Sequence, residues 1–186
     1  MKKGYDSLGR PCKDLYFMNM CMDATLRSFD STKHGCVAVS KEGRILSSGY
    51  NGPISGSIDE NIPMTRPDKY DFMEHAERNC INSAARYGNA LDGCIFYVSG
   101  LPCLPCLRGM YGAGASEVVF GPITSHMLST KEHFKHYDLL LQAHGGYRKI
   151  RMFDYVDELI EINPKVKDVL EGCPEVDIRK YFKAII

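Results

Sequence analysis

Two short stretches of this sequence decide how the rest is interpreted: Glu74-His75-Ala76-Glu77 and Pro102-Cys103-Leu104-Pro105-Cys106. Together His75, Cys103 and Cys106 offer one imidazole and two thiolates. A tetrahedral catalytic zinc needs three protein ligands and a fourth position that stays open to water. Glu77 follows the histidine by two residues, where a group that carries protons is needed. The two stretches therefore predict a catalytic zinc centre with Glu77 beside it.

Each half of this pattern has a simpler interpretation when it stands alone. His-Ala-Glu occurs by chance in many soluble proteins, and Cys-x-x-Cys also forms redox pairs or half of a structural zinc site. A redox pair prefers a thioredoxin-like strand and helix, and a closed structural site needs a fourth Cys or His ligand. A second ligand pair is missing here, which favours an open site. His-x-Glu followed by Pro-Cys-x-x-Cys is the general signature of zinc-dependent nucleobase deaminases.

The length of the chain, 186 residues, predicts one domain over residues 1–186. We expect the core of this domain at about 15–155 and a helical tail at about 154–186. Apolar residues make up 44% and charged residues 25% of the chain, which is ordinary for a globular protein. Lys plus Arg and Asp plus Glu both number 23, so the chain is formally neutral. A neutral chain has no global field that attracts nucleic acid, which argues against a nucleic acid polymer as partner and favours a nucleotide-sized substrate.

The cysteines and the sequence start bear on the compartment. The chain has eight cysteines, no signal peptide and no apolar run near the length of a membrane span. A reducing interior is therefore expected rather than a disulfide framework, with a cytoplasmic location (host cytoplasm if phage-encoded) and no membrane partner. Four cysteines lie in apolar surroundings and are predicted to be small core residues: Cys21, Cys36, Cys80 and Cys94.

Periodicity and turn residues predict alternating helices and strands. A helix is expected at 11–29, a hairpin at 35–50 with its turn at Lys41-Glu42-Gly43, and a long loop at 51–73. Further helices are expected at 75–87, from Cys103 to about 111, and at 130–144, with strands at 93–99, 117–121 and 148–153. This order predicts the α/β class, as a three-layer α-β-α sandwich around a five-stranded mixed sheet.

The predicted helix starts place the chemistry. His75 and Glu77 are two residues apart, so they act together only in the first turn of a helix. There the backbone N–H of Ala76 is free to meet a substrate oxygen. Glu77 would take a proton from water and pass it to a ring nitrogen, and would next move a second proton to the departing amine.

The sequence resembles the deoxycytidylate (dCMP) deaminases of the cytidine deaminase superfamily over about residues 15–155. The blocks that carry the resemblance are Arg27-Ser28, Gly35–Val39, Arg44–Gly52, His75–Asn79 and Tyr97–Cys106. The resemblance implies a cytidine deaminase-like fold and hydrolysis of dCMP to dUMP and ammonia, which supplies dUMP for thymidylate synthesis. It also implies a homohexamer, activated by dCTP and inhibited by dTTP, with magnesium on the effector triphosphate.

Individual roles follow from the same resemblance. His75, Cys103 and Cys106 match the zinc ligands and Glu77 matches the proton shuttle. Asn51 and Ala76 are expected at the substrate, and Arg86 falls where some phage enzymes place an arginine near the substrate phosphate. The effector site is expected at the block Gly49, Tyr50, Asn51 and Gly52.

The sequence also departs from the family. Phe29 and Asp30 stand where relatives with a second, structural zinc carry cysteines, so one zinc per chain is expected. The loop 121–126 lacks the tyrosine that the family often has there, and His126 is a possible substitute. Two rival functions stay open: a deaminase of transfer-RNA adenosine, a free base or a riboflavin precursor, and a non-catalytic binding module stabilised by zinc.

Overall fold

A five-stranded sheet forms the middle layer of the structure, which is a computed structural model and describes residues 2–123, 131–145 and 147–167. The strand order is β2 (Ile45–Tyr50), β1 (Gly35–Val39), β5 (Ile95–Gly100), β6 (Glu117–Ile123) and β7 (Lys149–Met152). β1 is antiparallel to both of its neighbours, whereas β5, β6 and β7 are mutually parallel. The predicted five-stranded mixed sheet is confirmed.

Helices cover both faces of this sheet. α1 (Lys13–Thr25) and α5 (Val156–Ile162) lie on one face, and α2 (Ala76–Tyr87), α3 (Leu104–Gly112) and α4 (Lys131–Ala143) belong to the other. A hydrophobic core lies on each face of the sheet, one beneath α1 and α5 and the other beneath α2, α3 and α4. Successive β1 side chains alternate between them: Cys36 and Ala38 join the core of α2, and Val37 and Val39 join the core of α1. A strand buried on both faces reads as a continuous apolar run, and all five residues of β1 are buried.

The local stop and start signals in the sequence are present in the structure. Gly88 ends α2 in the left-handed conformation with φ +70°, which glycine adopts without a steric penalty. Gly43, with φ +103°, closes the predicted hairpin turn through its N–H, which donates to the Ser40 carbonyl at 3.0 Å. Pro105 lies in the first turn of α3, where its missing N–H costs no hydrogen bond.

Two predictions about the first half of the chain need correction. The first helix ends at Thr25, so Leu26 and Phe29 do not join the core and are 48% and 44% exposed. The segment 51–73 is not structureless, because it begins in β3 (Gly52–Pro53) and leads into β4 (Met73–Glu74). These two strands pair with each other, and two short 3-10 turns lie between them, at Asp59–Asn61 and Asp68–Asp71.

Gly49 marks the closest approach between the sheet and α2. A Cβ atom at this position would lie 2.4 Å from the Ala76 carbonyl oxygen and 2.5 Å from the Cys80 backbone nitrogen. Both obstacles are backbone atoms of α2, so no side-chain rotation relieves the contact. Glycine at 49 therefore allows α2 to lie directly against β2.

We expect Gly49→Ala to lower the free energy of unfolding by about 1–3 kcal/mol or more, because α2 must shift away from β2. Gly112→Ala is the matched control, since a Cβ there meets no atom within 4 Å and alanine is the better helix former. Urea unfolding of both variants measures the difference. Equal stabilities of the two variants would contradict the close-approach role of Gly49.

Candidate functional site

Two helix N-termini bring the predicted metal ligands together. His75 is the N-cap of α2 and Cys103 is the N-cap of α3, with Cys106 in the first turn of α3. The Nδ1 atom of His75 lies 3.6 Å from the Cys103 Sγ atom and 3.5 Å from the Cys106 Sγ atom. All three ligand atoms lie within 4.8 Å of one another.

These separations fit a tetrahedral zinc. Zn–S bonds of about 2.3 Å and Zn–N bonds of about 2.0–2.1 Å at a tetrahedral angle place N and S about 3.5 Å apart. Cys103 and Cys106 are buried, whereas His75 is exposed, so one side of the cluster faces open space. In the described ranges 2–123, 131–145 and 147–167 this is the one cluster of its kind, and it has three members. A three-ligand cluster leaves the fourth position of a tetrahedral ion for water or substrate.

The electrostatic environment favours thiolate at one of the two cysteines. Hydrogen bonds from Cys106 and His75 lower the pKa of Cys103 to about 4, and the pKa of Cys106 is raised because it shares its proton with Cys103. The hydrogen bond to Cys103 also raises the pKa of His75. The positive ends of α2 and α3 add to this preference for negative charge.

Glu77 lies in the first turn of α2, as predicted, and is only 5% exposed. Burial raises the pKa of Glu77 to about 7, against the opposing effects of its own backbone hydrogen bond and of charge on His75. A carboxyl group with a pKa near neutrality both accepts and donates protons efficiently at physiological pH. The position and the pKa of Glu77 are therefore those of a general acid–base group.

A cavity of about 340 Å³ opens beside the three candidate metal ligands, and its lining includes His75, Ala76, Glu77 and Cys103. This volume is in the range of small-molecule sites. Ala76 is the first residue of α2, so its backbone N–H has no partner within the helix. The predicted substrate contact Ala76 is thus brought to the cavity.

Asn51 also lines the cavity, and its side chain already has two protein partners. Its Oδ1 atom accepts a hydrogen bond from the His34 backbone N–H at 2.7 Å, and its Nδ2 atom donates to the Thr32 carbonyl at 2.8 Å. A side-chain amide carries two N–H bonds, so one remains for a ligand. Asn51 therefore shapes the cavity wall formed by residues 32–34 and also reaches the space where a substrate fits.

Arg86 is not brought to this cavity. It lies ten residues beyond the start of α2, which is about 15 Å along the helix axis. Its Nη1 atom donates instead to the carbonyl and hydroxyl oxygens of Ser55, at 3.2 Å and 3.4 Å. The structure thus gives Arg86 a role in holding the loop after β3 and does not place it with the metal ligands.

The other members of the predicted effector block have structural contacts. Gly49 lies against α2, as described above, and the Asn79 side chain donates to the carbonyls of Tyr50 and Gly52 at 3.0 Å and 3.2 Å. These contacts connect the block to the helix that carries His75. An effector role for Gly49, Tyr50, Asn51 and Gly52 stays a prediction.

Several cavity residues were missed by sequence reasoning. Arg66, Lys69 and Tyr70 line it from the turn before β4, and Asp30 and His34 line it from the segment before β1. The long loop at 51–73 was the available signal, because long loops within a domain are often functional. The pattern did not reveal which loop side chains face the metal cluster.

Some predictions lie outside the described residues. These are His126 with the part of the loop 121–126 beyond residue 123, and the part of the helical tail beyond residue 167. The seven cysteines within the described residues are free thiols, and Cys21, Cys36, Cys80 and Cys94 are buried as predicted. No helix in the described part of the chain is long and apolar enough to cross a membrane.

Comparison with known proteins adds sequence relatives and structural neighbours. The deoxycytidylate deaminase of Mus musculus is 35% identical over 114 residues, which cover 56% of this chain. The chain spans 62% of the length of that relative. A solved structure of the dCMP deaminase from the cyanophage S-TIM5, in complex with dCMP and dUMP, aligns with a TM-score of 0.56 at 22% identity. That alignment covers 74% of this chain and 94% of the phage chain, and it supports the fold.

Another neighbour has a different substrate. The diaminohydroxyphosphoribosylaminopyrimidine deaminase/5-amino-6-(5-phosphoribosylamino)uracil reductase of Thermotoga maritima aligns with a TM-score of 0.54 at 18% identity, covering 86% of this chain and 42% of that one. The fold alone therefore does not select a substrate.

The family itself follows from a match that covers more than half of the chain. Residues 11–122 match the profile of the cytidine and deoxycytidylate deaminase zinc-binding region, and this range contains His75, Glu77, Cys103 and Cys106. The chain belongs to the cytidine and deoxycytidylate deaminase family.

Proposed function

We propose that this protein is a zinc-dependent deaminase that hydrolyses dCMP to dUMP and ammonia. The observation that carries the proposal is the cluster of His75, Cys103 and Cys106, which lies with the buried Glu77 at one cavity of about 340 Å³. The sequence relatives favour dCMP as the substrate, since the mouse relative is a deoxycytidylate deaminase. The neutral charge of the chain agrees with a nucleotide rather than a polynucleotide.

The residues of the chain divide the work of this reaction. His75, Cys103 and Cys106 would hold one zinc ion, which as a Lewis acid makes hydroxide available at neutral pH. Glu77 accepts a proton from the attacking water and delivers it to N3 of the cytosine ring as the new C–O bond forms at C4. Glu77 then takes the proton of the new C4 hydroxyl group and passes it to the exocyclic amine. The C4–N bond breaks, ammonia leaves and the C4 carbonyl of dUMP forms. The Ala76 N–H and the Asn51 side chain orient the substrate.

The rival functions make different demands on Glu77. A binding module that uses zinc only for stability has no need of a buried carboxyl group with a pKa of about 7. Burial of a carboxyl group costs desolvation free energy, which catalysis by that group would explain. A deaminase that acts on another base would need Glu77 in the same role, so Glu77 does not distinguish that rival from a dCMP deaminase.

We further propose that dCTP activates and dTTP inhibits the enzyme, as magnesium complexes at the block Gly49–Gly52, within a homohexamer. Arg27 is exposed and its guanidinium lies 5.9 Å from the Tyr50 ring centroid, which provides a cation beside this block. Asn79 connects the block to α2, which offers a route from an effector to the helix that carries His75.

Glu77→Gln is expected to lower dCMP turnover by about 10²–10⁴-fold, because the amide does not carry protons. Zinc content should stay at one ion per chain, since the ligands are unchanged. Ultraviolet-monitored turnover and elemental analysis measure the two quantities, and Glu42→Gln on the exposed hairpin turn is the control. Full turnover by Glu77→Gln would contradict the shuttle role.

The raised pKa of Glu77 also predicts that the stability of the metal-free protein depends on pH. Its pKa is about 7 when folded and about 4.3 when unfolded, so the folded state retains a proton that the unfolded state loses. The free energy of unfolding therefore falls as pH rises from about 4.3 to 7, by on the order of 3 kcal/mol. Glu77→Gln should remove this decline in urea-unfolding curves measured between pH 4 and 8. An unchanged decline in the variant would assign it to other groups.

The regulation is checked by dCMP turnover with dCTP plus magnesium and with dTTP. We expect dCTP to raise turnover at low dCMP concentration and dTTP to lower it. Arg27→Ala should weaken both responses by removing the cation beside Tyr50. Turnover that is indifferent to both nucleotides would retain the deaminase and refute the regulation.

A further inference from the structure

The turn before β4 contributes two cations to the cavity, Arg66 and Lys69. Lys69 is 6% exposed, and its Nζ atom donates to both carboxylate oxygens of Asp30, at 2.9 Å and 2.8 Å. The Lys69 backbone N–H donates to the Thr65 carbonyl at 3.0 Å, which closes the turn around Arg66. This buried ion pair therefore holds the turn against the segment before β1.

The cavity wall carries the acidic residues Asp30, Glu74 and Glu77 as well as the basic residues Arg66 and Lys69. Asp30 and Lys69 neutralise each other, and Glu74 pairs with Arg78 at 2.5 Å. Arg66 is exposed, and its guanidinium lies 5.6 Å from the Tyr70 ring centroid. In residues 2–123, 131–145 and 147–167, no carboxylate forms an ion pair with Arg66. Among the described residues, Arg66 is thus the basic side chain of the cavity wall that has no carboxylate partner.

A guanidinium group in this position is suited to a phosphate monoester. Its planar donors bind two phosphate oxygens at once, and such charge-assisted hydrogen bonds are among the strongest in proteins. The chain as a whole is formally neutral, so a bound anion must be attracted by a local cation. Arg66 supplies that cation in the same cavity that holds Glu77 and two of the metal ligands.

We propose that Arg66 recognises the phosphate of the nucleotide substrate and makes the enzyme selective for nucleotide over nucleoside. This inference rests on the proposed function and names the residue that selects the substrate at its site. It replaces Arg86, which the family resemblance suggested for this role and which contacts Ser55 instead.

The experiment separates binding from turnover. Zinc-loaded Glu77→Gln protein, with and without Arg66→Ala, is titrated calorimetrically with dCMP and with deoxycytidine, which lacks the phosphate. We expect Arg66→Ala to weaken dCMP binding by roughly 10- to 100-fold, as for loss of a charge-assisted hydrogen bond, and to change deoxycytidine binding by less than about twofold. Arg44→Ala removes an exposed arginine of the β1–β2 turn and is the matched charge control.

Three results with the arginine variants would overturn the proposal: unchanged dCMP affinity in Arg66→Ala, an equal loss for dCMP and deoxycytidine, or a phosphate-selective loss in Arg86→Ala but not in Arg66→Ala. Binding of neither compound by the Glu77→Gln protein would overturn it as well. Turnover of dCMP by the unmodified chain tests the proposed function separately. Phosphate-selective binding without turnover would retain the role of Arg66 and refute the deaminase.

Discussion

The backbone contact between Gly49 and the first turn of α2 is the constraint on which the site depends. Because glycine has no Cβ, β2 approaches the Ala76 carbonyl and the Cys80 N–H directly. This contact fixes the start of α2 relative to the sheet, and with it His75 and Glu77. The parallel strand β5 then delivers the buried segment Leu101–Cys103 to the same place. Main-chain packing thus brings the three candidate ligand residues together, and their side chains supply the ligand atoms.

Residue types and their spacing predicted the features of the site that depend on near neighbours in the chain. Gly88 after an apolar stripe marks the end of α2, and Pro105 marks the start of α3, so these two helix ends were predictable. The spacing of His75, Cys103 and Cys106 predicted the ligand cluster. The five-stranded mixed sheet followed from the order of the elements. The helix ends rest on interactions within a few residues, which is why a sequence pattern predicts them.

Contacts between distant segments were not predictable in the same way. Arg86 shares a helix with His75, yet ten residues of helical rise separate it from the cavity. Arg66 and Lys69 belong to a loop without periodicity, and their position depends on Asp30, which is 39 residues from Lys69 in the chain. Leu26 and Phe29 continued the spacing of an apolar face, but the chain turns after Thr25 and leaves both exposed. Tertiary contacts decided each of these cases.

The core on the face of α1 has a consequence for synthesis of the chain on the ribosome. Leu15 and Met18 of α1 share this core with Phe153, Leu159 and Val166, so its first and last members are separated by most of the described chain. The other core, which packs behind the metal cluster, includes no residue beyond Ile150 among its buried members. During vectorial synthesis the apolar face of α1 therefore stays partly uncovered until residues 153–166 have left the ribosome. Within the described residues, the core behind the metal ligands can therefore assemble earlier than the core on the opposite face.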